Sequence, residues 1–253
     1  MRIIVFCLFF ILYGCVTSED NQSDKSEIIK LSEAIQKNPL NTNLLLSRAN
    51  YNVSRNNLES SLFDLRQCIL LDSSNSNFHY KIAKVYFELS KSPISNKDYP
   101  TMSRHHLEKV LEINTKDYKA HALLGELFLA FRVIDSKSYT KALYHFNTSL
   151  KIEYNQANTH MLLGYTFRFL EQEDQAINCF MNSINVDPEF QEAYVQLGHI
   201  FHANKDTMAI IYYNNALRLN PKDTLVLYAK AMFYQEILDW NSALDSYVQL
   251  HKI

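Results

Sequence analysis

Residues 157–188 read ANTHMLLGYTFRFLEQEDQAINCFMNSINVDP and contain the pattern that decides the fold. In the first half, Leu163 and Phe167 are four residues apart; in the second half, Ala176 and Phe180 repeat that interval. Apolar residues at this spacing share one side of an α-helix. A short polar break separates the halves, and a proline closes the second one. The stretch therefore predicts two amphipathic helices joined by a turn.

The same helix pair recurs along the chain. Four glycines occur in the whole sequence, and three of them lie inside predicted helices, each directly after a leucine: Gly125, Gly164 and Gly198. A glycine within a helix costs about 1 kcal/mol relative to alanine, so its repeated use at one position indicates close approach of the paired helix. Three prolines, which cannot continue a helix, close predicted second helices: Pro39, Pro188 and Pro221.

This tandem pattern resembles the tetratricopeptide repeat, a helix-turn-helix unit of 34 residues. The resemblance covers residues 26–253 and implies an all-α, right-handed α-solenoid of about six repeats after an N-terminal half repeat. The first repeat matches weakly, because Arg48 and Asn52 stand where apolar residues are usual. Insertions are expected near residues 91–97 and 133–138. A family of longer helical-pair repeats is the rival, and the short interval between Pro188 and Pro221 disfavours it.

The repeat register also predicts which side chains form the core. They are Leu31, Ala34, Ile35, Leu45, Ala49, Leu65, Cys68, Ile69, Ile82, Ala83, Tyr86, Leu107, Val110, Leu111, Ala142, Phe146, Leu150, Leu163, Phe167, Ala176, Phe180, Ser183, Ile184, Tyr194, Leu197, Phe201, Ala209, Tyr213, Ala216, Leu227, Ala231, Tyr234, Trp240, Ala243 and Tyr247. The sequence stops inside a predicted second helix, which would leave Leu250 and Ile253 bare. We expect a partner, a second copy in a homo-oligomer or a further repeat to cover that end.

Residues 1–14 predict a signal peptide, because a basic residue precedes an apolar run from Ile3 to Tyr13 that is too short to span a bilayer. The junction Leu12-Tyr13-Gly14-Cys15 resembles the lipobox of bacterial lipoproteins. That resemblance implies acylation of Cys15 and attachment to a membrane through the lipid. The alternatives are a plain secretory signal with an incidental cysteine, or a short membrane anchor.

Residues 15–25 are polar and predict a flexible tether between the lipid and the repeats. Val16 follows the cysteine, and by resemblance to the sorting rule of Gram-negative lipoproteins this implies the outer membrane. We expect the periplasmic face rather than the cell surface, although the acidic pair Glu19 and Asp20 is a hint of surface export.

Charge and motifs exclude several function classes. The formal net charge of −2 is too mild to predict nucleic-acid binding. No P-loop, GxSxG, HExxH or paired CxxC motif occurs, so we expect neither an enzyme nor a cofactor. Cys68 and Cys179 are expected to be packed thiols. His199 and His202 lie one helical turn apart, but no adjacent carboxylate or thiol favours a metal, and we assign them to a groove.

In tetratricopeptide arrays the first helix of each repeat lines a concave groove, so the resemblance implies where a partner would bind. The candidate groove residues are Asn77, Tyr80, Lys84, Phe87, Glu126, Asn158, Met161, Tyr165, Arg168, Phe169, His199, His202 and Tyr228. Amide groups can hold the backbone of an extended peptide while aromatic side chains contact its side chains. The Lys/Asn/Lys/Arg carboxylate clamp of chaperone-binding members is not reproduced. The alternative is that part of this stripe packs neighbouring repeats together.

The expected function is therefore a lipid-anchored scaffold or adaptor of the bacterial cell envelope that binds a protein or peptide. A surface-exposed lipoprotein that assists nutrient capture is the first alternative. A role as accessory to an enzyme is the least favoured, because no catalytic set accompanies the repeats.

Overall fold

The computed structural model describes residues 16–92, 96–131 and 138–253, the first eleven of these by their backbone alone. This part of the chain contains helices and no strand, which confirms the predicted all-α repeat fold. The helices are α1 (Val16–Lys37), α2 (Thr42–Ser54), α3 (Leu58–Leu71), α4 (Ser76–Ser90), α5 (Tyr99–Ile113), α6 (Tyr118–Ala130), α7 (Ser138–Ile152), α8 (Ala157–Phe169), α9 (Glu173–Val186), α10 (Gln191–Ala203), α11 (Met208–Leu219), α12 (Thr224–Glu236) and α13 (Trp240–His251). The signal peptide and Cys15 lie outside the described residues.

From α2 onward the helices pack in consecutive pairs, each pair forming one hairpin. The chain divides into two compact units at Thr115. Unit 1 contains α1 and the hairpins α2–α3 and α4–α5. Unit 2 contains the hairpins α6–α7, α8–α9, α10–α11 and α12–α13, and within it each second helix also packs against the next first helix. Each unit is thus a stack of helical hairpins.

The backbone is helical from Val16, whereas the sequence predicts a flexible tether over residues 15–25. Further along α1, Ile35 is buried in a cluster with Leu45 and Cys68. The second half of α1 therefore packs against the first hairpin as the expected N-terminal half repeat.

Most of the predicted core side chains are buried, and Trp240 is 61% exposed. Ten others are only half-buried: Leu31, Ala34, Ile69, Leu111, Leu150, Phe167, Ile184, Phe201, Tyr234 and Tyr247. Trp240 is the first residue of α13, where no preceding turn of the helix covers it.

The weak match of the first repeat is explained by a buried ion pair. Arg48 donates from Nε and Nη2 to the two carboxylate oxygens of the buried Asp64, at 2.9 and 2.7 Å. Arg48 also donates to Ser32 of α1. A buried carboxylate needs such a partner, so an arginine replaces the usual apolar residue.

The turn between the two helices of a hairpin has one recurring form. Its central residue has a left-handed φ of 54–63° at four non-glycine positions: Asn56, Glu171, Lys205 and Leu238. The next backbone N–H then reaches back to a carbonyl of the last turn, as Gln172 does to Phe167 at 2.9 Å. This closure satisfies a terminal carbonyl and fixes the angle at which the second helix returns.

Three glycines allow an aromatic ring of the second helix to touch the backbone of the first. The facing pairs are Gly125 with Phe146, Gly164 with Phe180, and Gly198 with Tyr213. A Cβ atom added at any of these glycines would lie 2.5–2.6 Å from the ring, well inside van der Waals contact. The rings themselves are fully buried. The close approach predicted from the glycine pattern is confirmed.

Gly164→Ala should lower the free energy of unfolding by about 1–3 kcal/mol, because its methyl group overlaps the buried ring of Phe180. The second hairpin carries Ala83 and Leu107 at the corresponding positions, so Phe180→Leu should make room for the methyl group. Urea unfolding of the wild type, both single variants and the double variant measures the coupling. Losses that simply add would contradict the steric explanation.

Two hairpins each hold a pair of histidines in contact. His79 Nδ1 lies 3.0 Å from His106 Nδ1 in unit 1, and His121 and His145 have the same separation in unit 2. Only one proton fits between the two nitrogens of a pair, so the two rings of a pair cannot both be charged while this contact is kept. Burial and the facing histidine lower the pKa of His106 and of His145 to about 4. The charges of His105 and Arg66 act in the same direction on His106.

The fold should lose stability as the pH falls from about 6.5 towards about 4. Across that range the unfolded chain binds protons that the folded histidine pairs exclude, and above it the stabilisation is fully present. His106→Asn and His145→Asn should each flatten the dependence, whereas His251→Asn, at an exposed position, should not. Urea unfolding near pH 7.5 and near pH 5 tests this. Equal acid losses in all four proteins would refute it.

One face of α13 is apolar and exposed. Leu244 is 63% exposed, whereas the residues at the same repeat position in α7, α9 and α11 are partly buried. Those residues are Leu143, Ile177 and Ile210. In those hairpins the following first helix packs on the second helix. That another helix, from a second copy or a further repeat, covers α13 stays a prediction.

Candidate functional site

We call the side of the first helices that carries the predicted groove residues the inner face, and describe it separately for each unit. In unit 1, Asn77 and Lys84 are exposed and Tyr80 is half-buried. Phe87 is only 2% exposed, so its assignment to the groove is wrong. Lys91 Nζ lies over the Phe87 ring, 4.6 Å from the ring centroid.

A residue that the sequence did not single out completes the inner face of unit 1. Lys81 Nζ donates to Asn50 Oδ1 at 2.8 Å, which ties α4 to α2. Burial and the nearby charge of Lys84 lower the pKa of Lys81. The inner face of unit 1 is thus polar, with two lysines one turn apart.

In unit 2 most predicted groove residues are accessible. Asn158, Arg168, Phe169, His199 and Tyr228 are exposed, and Glu126, Tyr165 and His202 are half-buried. Met161 is 2% exposed, and its assignment to the groove is wrong. It belongs to the same buried cluster as Ala193 and Tyr194 of the next first helix, so it packs repeats together.

A first polar cluster joins α8 to α10. The Tyr165 hydroxyl donates to Glu192 Oε1 at 2.6 Å, and Gln196 Nε2 donates to the same oxygen at 2.8 Å. Arg168 Nη1 donates to Gln196 Oε1, which closes the cluster. Burial and the bond to Glu192 raise the pKa of Tyr165. The arrangement fixes the guanidinium of the exposed Arg168 against α10.

Exposed aromatic rings flank this cluster. Phe169 is 48% exposed and stacks on Tyr139 of α7, with 5.7 Å between ring centroids. Tyr228 is half exposed and meets Tyr247 of α13 edge-on at 6.3 Å. Both rings are about half exposed and each contacts a second ring, so they offer a partner an apolar surface that is already held in place.

A second polar cluster centres on the hydroxyl of Tyr213. This oxygen lies 3.0 Å from His199 Nδ1 and 3.1 Å from His202 Nδ1. His202 Nε2 lies 3.3 Å from Glu236 Oε1. Burial, Arg168 and His202 lower the pKa of His199, and Glu192 opposes them. The two histidines predicted for the groove are therefore joined through a core residue of α11.

The sequence assigned Tyr213 to the core alone, and a signal for its second role was available. The corresponding residues that face glycine in unit 2, Phe146 and Phe180, lack a hydroxyl. A tyrosine with a fully buried ring needs a hydrogen-bond partner for its hydroxyl. The two histidines predicted for the groove lie on α10, the other helix of the same hairpin, and are the polar groups nearby.

Metal and thiol chemistry find no support in this part of the molecule. Among the described residues, no three His, Cys, Asp or Glu side chains converge as metal ligands. Cys68 and Cys179 are buried and unpaired with each other, as expected of packed thiols, and burial raises the pKa of both to about 11. No helix in the described ranges combines the length and the apolar character needed to cross a membrane.

Residues 157–190 and 191–223 each match the family model of the tetratricopeptide repeat. These two segments of unit 2 match the tetratricopeptide repeat. The two matched ranges are the hairpins α8–α9 and α10–α11, which hold the first polar cluster and, apart from Glu236 of α12, the second. The remaining hairpins have the same two-helix form.

Two curated proteins are similar to this chain. Anaphase-promoting complex subunit 3 of Schizosaccharomyces pombe is 22% identical over 167 residues, which cover 48% of this chain and 25% of that protein. The peroxisomal targeting signal receptor of Kluyveromyces lactis is 20% identical over 234 residues, covering 92% of this chain and 39% of the receptor. The chain thus spans between a quarter and two fifths of these relatives.

Solved structures share the fold. YrrB, a tetratricopeptide repeat protein described as having an unusual peptide-binding site, superposes with a TM-score of 0.55 at 20% identity. The match covers 79% of this chain and 97% of YrrB. At this identity the likeness establishes the architecture and leaves the ligand open.

Proposed function

We propose that the protein is a lipid-anchored adaptor of the bacterial cell envelope, and that it binds an extended segment of a partner protein on the inner face of unit 2. The observation that carries the binding role is the 48% exposure of Phe169 next to the exposed Arg168 at the end of α8. Aromatic and arginine side chains dominate the energetics of protein interfaces. A ring held against Tyr139 loses little entropy when a partner covers it.

The similar proteins support an interaction role in general terms. YrrB is described by its peptide-binding site, and the K. lactis relative is a receptor for a targeting signal. The inner face of unit 2 offers what such a ligand needs: amide and carboxylate groups for the peptide backbone, and two exposed aromatic rings for its side chains. We propose no enzymatic role, and turnover by the purified protein without a partner would contradict that position.

Phe169→Ala should weaken partner binding by at least tenfold, with a loss of unfolding free energy below about 1 kcal/mol, because the ring is half exposed. A photo-crosslinking residue in place of Tyr228 first identifies the partner in cells that produce the protein. Calorimetry then measures its affinity for the wild type, Phe169→Ala and the control Met181→Ala, an exposed apolar side chain on α9.

Two outcomes would overturn the proposed face. In the first, a photo-crosslinking residue at position 181 captures the same protein as one at position 228. In the second, Phe169→Ala binds the partner with unchanged affinity.

Tyr165 is tested as Tyr165→Phe rather than as alanine, because its ring packs edge-on against the buried Phe180. An alanine there would mix loss of the core with loss of binding.

The lipid anchor is supported by the lipobox at Cys15, directly before the first described helix. Cys15→Ser should abolish palmitate incorporation and leave an uncleaved precursor, because serine has no thiol for the acyl donor. Labelling with radioactive palmitate, followed by precipitation of the protein, measures this. Normal labelling of the variant would mean that the cysteine is incidental.

We place the mature protein at the periplasmic face of the outer membrane, with the surface lipoprotein for nutrient capture as the alternative. Glu19 and Asp20 favour that alternative, because they follow the lipid site closely. Protease treatment of intact cells separates the two locations. Cleavage before the outer membrane is opened would sink the periplasmic assignment.

A further inference from the structure

We propose that a cleft in unit 1, between α1, α2 and the first half of α3, binds one ring of a neutral saccharide. The cleft has a volume of about 330 Å³. Arg48 and Asn52 line it, and they lie four residues apart on one side of α2. Asn50, which bonds Lys81 on the inner face, lies two residues from each and therefore on the other side of the helix. The cleft is thus a second site, and its role does not rest on the proposed function.

The cleft exists because the first hairpin departs from the repeat at Asn52. In α4, α6, α8, α10 and α12 the corresponding residue is aromatic and is buried or half-buried: Tyr86, Phe128, Phe167, Phe201 and Tyr234. The Tyr86 ring lies between two second helices, since Arg66 of α3 donates to its hydroxyl at 2.7 Å and the ring of Tyr99 of α5 is 5.6 Å away. The asparagine leaves the equivalent space, between α1 and α3, unfilled.

The amide of Asn52 has no role within the fold that explains it. The residue is only 7% exposed, and its side chain makes no hydrogen bond to any described residue. The ion pair explains Arg48 and Asp64 but leaves this amide without a partner. A largely buried amide without a hydrogen bond is unfavourable. Since Asn52 lines the cleft, a ligand bound there can supply the missing partner.

Asn57 and Ser60 add two more polar groups to the lining of the cleft. Asn57 directly precedes α3, but its side chain makes no capping hydrogen bond. Asp239, at the corresponding position before α13, does cap its helix by accepting from Ser242 N. Ser60 is exposed and bonds to no other described residue. Together with Asn52, these residues provide three side chains that can each both donate and accept.

The pair of Arg48 and Asp64 adds fixed polar groups without a net charge. Three N–H groups of Arg48 bond to Asp64 and Ser32, which leaves one N–H on Nη1 and one on Nη2. Among the described residues that line the cleft, only Arg48 and Asp64 are charged, and their charges cancel. An anion or a cation would therefore find no excess of opposite charge, which favours a neutral ligand.

Phe63 supplies an apolar surface beside these polar groups. It is 61% exposed and lines the cleft. A pyranose ring has C–H groups on its faces and hydroxyls at its edge, so it can pack on an aromatic ring while its hydroxyls both donate and accept. An extended peptide fits less well, because the lining spans one turn of α1, residues 28–32, and one turn of α2, residues 48–52.

Saturation-transfer NMR on the full chain, prepared without glycerol or sugar-based detergent, tests the class of ligand. The probes are methyl glycosides of neutral hexoses and of N-acetylhexosamines, at millimolar concentration. At least one glycoside should receive saturation and should shift the side-chain NH₂ signals of Asn52 and Asn57 in the ¹⁵N-labelled chain. Inorganic phosphate and N-acetylalanine methylamide, as an anion and a peptide unit, should do neither. No response to any glycoside, or a response only to phosphate or to the peptide unit, would overturn the proposal.

Asn52→Phe restores the aromatic residue of the other hairpins and should fill the cleft. Binding of the glycoside should be lost, whereas the midpoint of urea unfolding should not fall, because the other hairpins hold a ring at this position. Binding that survives in this variant would place the glycoside elsewhere and overturn the site. If the ring disturbs the fold, the two exposed positions 57 and 63 carry the test.

Phe63→Ala should weaken binding of the glycoside about tenfold, through loss of the aromatic surface. Asn57→Ala should weaken it about threefold, through loss of one hydrogen bond. Leu70→Ala is the matched control, because Leu70 is 77% exposed and lies two turns further along the same face of α3. It should bind as the wild type does. Equal affinities in Phe63→Ala and Leu70→Ala, or an unchanged affinity in Asn57→Ala, would overturn the cleft as the binding site.

Discussion

Three of the four hairpins of unit 2 depend on how closely their two helices can approach. At Gly125, Gly164 and Gly198 the first helix gives up a side chain so that an aromatic ring can rest on its backbone. The ring buries a large apolar area, which more than offsets the cost of a glycine within a helix. Because the ring leaves no room for a Cβ atom, this contact sets the separation of the helices and, with the left-handed turn, their angle.

The same contact connects the core to the inner face in one hairpin. Tyr213 fills the position that phenylalanine fills in the two preceding hairpins, and its hydroxyl extends past Gly198 to the histidines of α10. A core residue thus orients surface imidazoles without being exposed itself. The cost of burying a hydroxyl is met by two hydrogen bonds, and both lead to groups that a partner can meet.

Prediction from sequence succeeded where a feature depends on local spacing. The helices, the core positions and the glycine contacts follow from intervals of three, four and 34 residues. It failed at Phe87 and Met161, which occupy groove positions of the repeat but are only 2% exposed. Repeat position places a residue on the inner side of its own helix. Whether a neighbouring element covers it depends on packing between hairpins, which no interval within one repeat encodes.

The sequence by itself determined the repeat, the core and the helices that carry the candidate site, because a 3.6-residue period is a property of one helix. It could place His199 and His202 on one side of α10, but only the tertiary structure joined them through the hydroxyl of Tyr213 on α11. A hydrogen bond requires two atoms within about 3 Å. Such distances between separate helices arise only when the hairpins have packed.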